Sequence, residues 1–116
     1  MDIQSLSIDE IWEEVRNKAV ENPSLIEGLN HVYQFDIKVS EGEQSYTLSF
    51  DDGVNVVEGR GDEADCLLQM NEKNFKKLVE GSINSAAAFM TGKLKVKGNI
   101  GLALKLESAL KKFSWE

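Results

Sequence analysis

The hydrophobic period of this chain changes at His31, and the change limits what it can fold into. Upstream, Ile8, Ile11, Trp12, Val15 and Ala19 recur at helical spacing behind Ser7-Ile8-Asp9-Glu10, which has the form of a capping box, and Pro23 closes the segment. Downstream, Tyr33, Phe35, Ile37 and Val39 share one face while Val32, Gln34, Asp36 and Lys38 share the other, which predicts a half-covered strand. Glu41-Gly42-Glu43 reads as a polar turn, and Tyr46, Leu48 and Phe50 alternate with Thr47 and Ser49 as the second strand of a hairpin. Asp51-Asp52-Gly53 is the next turn and Val54 to Glu58 a third strand. Beyond a turn over Gly59 to Glu63, Ala64 to Met70 alternates through Cys66, Leu68 and Met70. Four sequential strands predict a largely antiparallel sheet.

Helical spacing then returns. Asn71 can cap a short helix carrying Phe75, Leu78 and Val79 and ended by Gly81, and the alanine-rich run Ile83 to Met90 predicts another. Lys93 to Lys97 alternates lysine with Leu94 and Val96 as a fifth strand, and Gly98-Asn99 opens a last helix bearing Ile100, Leu102, Ala103, Leu104, Leu106, Ala109, Leu110 and Phe113. No internal repeat or boundary interrupts this order. The expectation is an α+β fold in one domain over residues 1–116, with helices gathered against one sheet.

The first turns of that last helix are apolar over more than half the circumference, wider than covering one sheet face requires. Either the helix is buried between two layers or something beyond ordinary packing meets it. The same choice applies to the converging apolar set of Phe35, Leu48, Phe50, Leu68, Met70, Phe89 and Met90, which suits an ordinary core or the lining of a lipid pocket.

Charge narrows the partners. The net charge is −7, which argues against a protein that neutralises nucleic-acid phosphates. Residues 91–116 nevertheless carry Lys93, Lys95, Lys97, Lys105, Lys111 and Lys112 against Glu107 and Glu116, a local balance of +4. These lysines either solvate one strand face and one helix face or form a cationic rim for a ligand carboxylate or an anionic lipid surface.

Catalytic chemistry finds little support. His31 is the only histidine and lies in no recognisable nucleophile setting, and Cys66, the only cysteine, sits in an alternating strand as a small hydrophobe. A single cysteine also excludes an internal disulfide and a cysteine-based metal cluster, so no metal or cofactor is expected, and a reducing compartment is. Carboxylates such as Glu41, Glu43, Asp51, Asp52, Asp62, Glu63 and Asp65 fall in or beside turns, where they favour turn geometry. Gly59-Arg60-Gly61-Asp62-Glu63-Ala64 matches the dinucleotide fingerprint formally, but an alternating strand follows it instead of a helix, and its Arg-Gly-Asp reads as a chance turn. The N-terminus lacks a basic patch followed by an apolar run, and Phe113-Ser114-Trp115-Glu116 lacks a peroxisomal address, so a cytoplasmic location is expected.

The segment Ala88-Phe89-Met90-Thr91-Gly92-Lys93-Leu94-Lys95-Val96-Lys97-Gly98-Asn99-Ile100-Gly101-Leu102-Ala103-Leu104-Lys105-Leu106 closely resembles the Gly-Lys-Leu-Lys-x-x-Gly-Asn-x-x-x-Ala-x-Lys-Leu signature of the sterol carrier protein 2 (SCP-2) family. The order and length of the remaining elements agree, so the resemblance spans nearly the whole chain. It implies a five-stranded, mostly antiparallel sheet covered on one face by helices and enclosing an apolar tunnel for fatty acids, acyl-CoA, phospholipids or sterols, with no catalytic residues. In that reading Phe35, Leu48, Phe50, Leu68, Met70, Phe89, Met90, Ile100, Leu102, Leu104, Leu106, Leu110 and Phe113 contact the lipid. Gly92 and Gly98 bracket the fifth strand, Asn99 caps the helix, and Gly101 lets it approach a neighbour. Thr91 stands where animal members often have Gln, which removes one expected contact to a ligand head group. The expected function is non-enzymatic lipid binding and transfer, with fatty acid or acyl-CoA before sterol, by a monomer or weak dimer touching membranes transiently. The alternative is an accessory or dimerising interaction module of the same fold.

Overall fold

The first strand is buried on both faces over most of its length. The computed structural model describes residues 2–50, 53–61, 63–113 and 115. The chain runs through α1 (Ile8–Glu21), β1 (Tyr33–Val39), β2 (Gly42–Ser49), β3 (Asn55–Glu58), β4 (Cys66–Asn71), α2 (Glu72–Glu80), α3 (Ser85–Met90), β5 (Lys95–Gly98) and α4 (Ile100–Leu110), with 3-10 turns at Ile3–Ser5 and Pro23–Ile26. Tyr33, Phe35 and Ile37 of β1 are fully buried on the face that the helices cover. The acidic turn residues Asp51, Asp52 and Asp62 lie outside the described residues.

Several helix ends are set by residues that sequence alone marks. Ser7 and Glu10 exchange capping-box hydrogen bonds of 2.9 and 3.1 Å, and Asn71 accepts from the Asn74 N–H at 2.8 Å. Asn84 and Asn99 cap α3 and α4 in the same way, so α3 begins at Ser85, two residues later than the apolar pattern implies. Gly81 ends α2 in the left-handed conformation.

The sheet has the order β3-β2-β1-β4-β5, and three of its four pairings are antiparallel. The exception is central. β4 does not follow β3 across the sheet but returns to the far side of β1, which it pairs in parallel from Tyr33↔Cys66 to Lys38↔Asn71. The returning chain is held against the outer face of the sheet, where the Gly61 N–H donates to Gln34 Oε1 and to Thr47 Oγ1. Arg60 pairs with Asp36, which also accepts from Ser45 Oγ and Gln69 Nε2. Gln34 and Asp36, expected on a simple polar face, are 3% and 1% exposed. A carboxylate so buried is tolerated because a cation and several donors satisfy it.

Gly98, at the end of β5, has φ +95°, and a Cβ there would stand 2.7 Å from the Asp65 carbonyl oxygen. Gly92 is also left-handed, but a Cβ would meet nothing within 4 Å. Gly101 does not bring α4 close to another helix. It is exposed, and the atom it faces is Asn99 Oδ1 at 3.1 Å, the oxygen that caps α4. Gly98→Ala is therefore expected to cost about 2–3 kcal/mol in urea unfolding, against about 1 kcal/mol for Gly92→Ala. Equal losses would mean that the approach to Asp65 is relaxed at no cost.

Candidate functional site

The inner face of the sheet and the helices over it do not close completely. Beneath α4 lies a wholly apolar void of about 10 Å³, close to the space of one water. Phe35, Leu48 and Phe50 line it from the sheet side, and Leu106, Leu110 and Phe113 from α4 and the residues after it. Six further lining residues fall outside the sequence expectation: Trp12 and Val15 of α1, Ile26, Leu29, Val79 of α2, and Ala109 of α4. The stripe of α1 gave the signal for Trp12 and Val15. Ile26 and Leu29 carry no periodic signal, because they come from a 3-10 turn and the loop after it.

The remaining expected residues divide between two other places. Leu68, Met70 and Leu102 are buried without lining the void. Phe89, Met90, Ile100 and Leu104 line a separate apolar groove of about 150 Å³, bounded by α3, β5 and α4 and open at the surface. The broad apolar face of α4 thus has two destinations, with Leu106, Ala109 and Leu110 toward the void and Ile100, Ala103 and Leu104 toward the groove.

The two sides of the void are held differently. Trp12 stacks edge-on against Phe35 with ring centroids 5.3 Å apart and tilts against Phe75 at 5.1 Å, while Phe35 and Phe75 meet at 6.0 Å. This ring cluster fixes α1 and α2 to β1. α4 contributes no ring to it and meets the void with aliphatic side chains.

Polar contacts tie α4 to β1 and to α3. Tyr33 Oη donates to the Leu102 carbonyl oxygen at 2.9 Å, across the buried interface from β1. Burial, helped by Cys66 and Asp65, pushes the Tyr33 pKa up to about 12, so the hydroxyl stays a donor. Glu107 accepts from the Ser85 N–H at 3.0 Å and pairs with Lys111 at 3.2 Å, tying α4 to the start of α3. Past α4, Trp115 Nε1 donates to the Val79 carbonyl oxygen at 3.1 Å.

Burial alone would raise the Glu107 pKa, but Ser85 and Lys111 prevail and hold it below the usual carboxylate value. The Ser85 N–H makes the hydrogen bond, since Ser85 Oγ has no partner of standard geometry. The tie is therefore charged at neutral pH.

Chemistry that needs a nucleophile finds no favourable setting in these side chains. Burial, with a contribution from Asp65, pushes the Cys66 thiol up to about 11, which suits a core residue. Among the described residues no group of three or more His, Cys, Asp or Glu side chains could hold a metal ion, and no helix is long and apolar enough to cross a membrane.

The structure is an α+β layer fold with helices over one face of its sheet and a small apolar void beneath α4. The chain belongs to the SCP-2 sterol transfer family, whose model matches residues 9–111. That family has a lipid-binding and lipid-transfer fold. The chain is 36% identical over 100 residues to a fatty acid-binding protein of Yarrowia lipolytica, covering 82% of this chain and 77% of that protein. It is 34% identical over 87 residues to hydroxysteroid dehydrogenase-like protein 2 of Bos taurus, covering 74% of this chain but 21% of that one, so the chain spans only a fraction of such relatives. The solved apo structure of sterol carrier protein 2 from Yarrowia lipolytica superposes with a TM-score of 0.73 at 30% identity, covering 91% of each chain.

Because folding lowers the Glu107 pKa, the stability it contributes is complete above the ordinary carboxylate range and is lost as pH falls through the lowered value. Glu107→Gln is expected to cost about 1–2 kcal/mol in urea unfolding at neutral pH, with the difference from wild type shrinking in acid. A difference independent of pH would show that the carboxylate charge does not hold α3 to α4.

Proposed function

We propose that the chain binds a lipid through its acyl chain in the void beneath α4 and hands it on without chemical change. The observation that carries this reading is the wholly apolar void, walled by an aromatic cluster on one side and by aliphatic side chains of α4 on the other. At about 10 Å³ the closed void cannot enclose an acyl chain, so uptake requires α4 and Phe113 to move away from the sheet. The ring cluster remains as the fixed wall. Each methylene then buried contributes roughly 0.8 kcal/mol, which offsets the packing lost when α4 swings out.

The surface of the void is apolar, so the head group of the ligand would stay outside it, and the lysines of residues 91–116 suit a carboxylate or thioester head. A fatty acid or acyl-CoA is the first expectation and a sterol the second. The name of the Yarrowia lipolytica fatty acid-binding protein favours the same order.

Displacement of a fluorescent fatty acid by a homologous saturated series tests the reading. Affinity is expected to rise about fourfold per added methylene until the opened chamber is full. Ala109→Phe, which fills the void from α4, is expected to weaken binding by at least tenfold while still unfolding cooperatively in urea, at a cost of about 1–3 kcal/mol. Affinity independent of chain length, or unaltered in a folded Ala109→Phe variant, would contradict a chamber beneath α4.

A further inference from the structure

Beyond α4 the chain is held to the opposite wall of the void. The Trp115 side chain is buried, its Nε1 donates to the Val79 carbonyl oxygen at 3.1 Å, and Lys18 Nζ stands over its ring, 5.2 Å from the centroid. Lys18 belongs to α1 and Val79 to α2, the two helices that the ring cluster fixes to β1. The Val79 carbonyl is one of the last four of α2, which no further helical turn can satisfy, so the indole N–H meets an acceptor that the helix leaves open. Lys111, the residue that follows α4, packs so near the end of α2 that a Cβ on Gly81 would stand 3.3 Å from its Cα.

This attachment closes the end of α4 that covers the void. Leu106, Ala109, Leu110 and Phe113, which line the void, all lie in the C-terminal half of α4 or just past it, whereas the Tyr33 contact to Leu102 holds the N-terminal half. Phe113 stands two residues before Trp115, so with the indole seated its Cα stays within about 7 Å of the Trp115 Cα, the reach of two fully extended residues. A void of about 10 Å³ has no room for an acyl chain. Making room moves Leu110 and Phe113 away from Val79, which lines the void and carries the carbonyl that Trp115 binds.

We propose that Trp115 is an autoinhibitory clasp: its seat on α1 and α2 and an acyl chain beneath α4 exclude each other, so the docked indole sets how readily the protein takes up lipid. This role rests on the carrier reading and adds to it a residue that opposes binding. A contact present only in the closed form lowers the apparent affinity by the fraction of molecules that are open, and removing the contact restores that affinity. A residue whose role is only structural behaves otherwise, because losing it costs the folded protein stability and gains nothing for the complex.

Titration of the full chain and its variants with a fluorescent fatty acid, with urea unfolding alongside, tests the clasp. Trp115→Ala is expected to be less stable than wild type and yet to bind about tenfold more tightly, with faster association. Lys18→Met, which removes the cation over the ring and leaves the lining of the void untouched, is expected to bind about twofold more tightly. In the proton–nitrogen correlation spectrum of wild type, the indole N–H resonance that Trp115→Phe removes is expected to exchange faster with water once fatty acid saturates the protein. Folded variants that bind no more tightly than wild type, or an indole N–H as protected in the complex as without lipid, would overturn the clasp and leave lipid carriage standing. No binding by wild type or by Trp115→Ala would refute the carrier reading and the clasp with it.

Discussion

β1 is buried on both faces, and each face imposes a different requirement on the rest of the chain. Its inner side presents Tyr33, Phe35 and Ile37, which must be covered by helices. Its outer side presents Gln34 and Asp36, which must be given hydrogen-bond partners. The same return segment that supplies Arg60 and the Gly61 N–H leads the chain back to the far side of β1, so the outer polar cluster and the parallel β1–β4 pairing belong together. Without that return β4 would lie beside β3, and the aromatic floor would not be centred under α1 and α2.

On the inner face, rings and aliphatic side chains divide the work. Trp12, Phe35 and Phe75 interlock α1, α2 and β1, whereas α4 lies over the sheet through Leu106, Ala109 and Leu110 and a small number of hydrogen bonds. α4 stands outside the ring cluster, so moving it would leave the Trp12, Phe35 and Phe75 contacts intact. The imperfect closure beneath it and the unsatisfied apolar edge beside it both trace to the same sequence feature, an apolar face too wide for one layer of packing.

Much of this was legible in the amino-acid sequence, because the deciding signals were local. The Ser7 and Glu10 box, the Asn71 and Asn99 caps, Gly81 and the alternation of β1, β2 and β4 act within a few residues of where they stand. The family resemblance rested on the continuous segment 88–106. The central parallel pairing was not legible, since its determinants, Asp36 with Arg60 and Gln34 with Gly61, are far apart in sequence. Nor could alternation separate the residues around the void from those around the groove. On α4, Leu104 and Leu106 look alike as letters, yet one faces outward and the other inward, which only the placement of α3 and the sheet decides.

The central claim, that an acyl chain lies beneath α4 against Trp12, is tested most directly by fluorescence quenching. In a Trp115→Phe variant Trp12 is the sole tryptophan, and it lines the void. Titration with a fatty acid brominated along its chain is expected to quench Trp12 saturably at one equivalent, and the unbrominated acid to compete the quenching away. Lipid bound at one equivalent without quenching of Trp12 would place the ligand elsewhere on the protein and contradict the account.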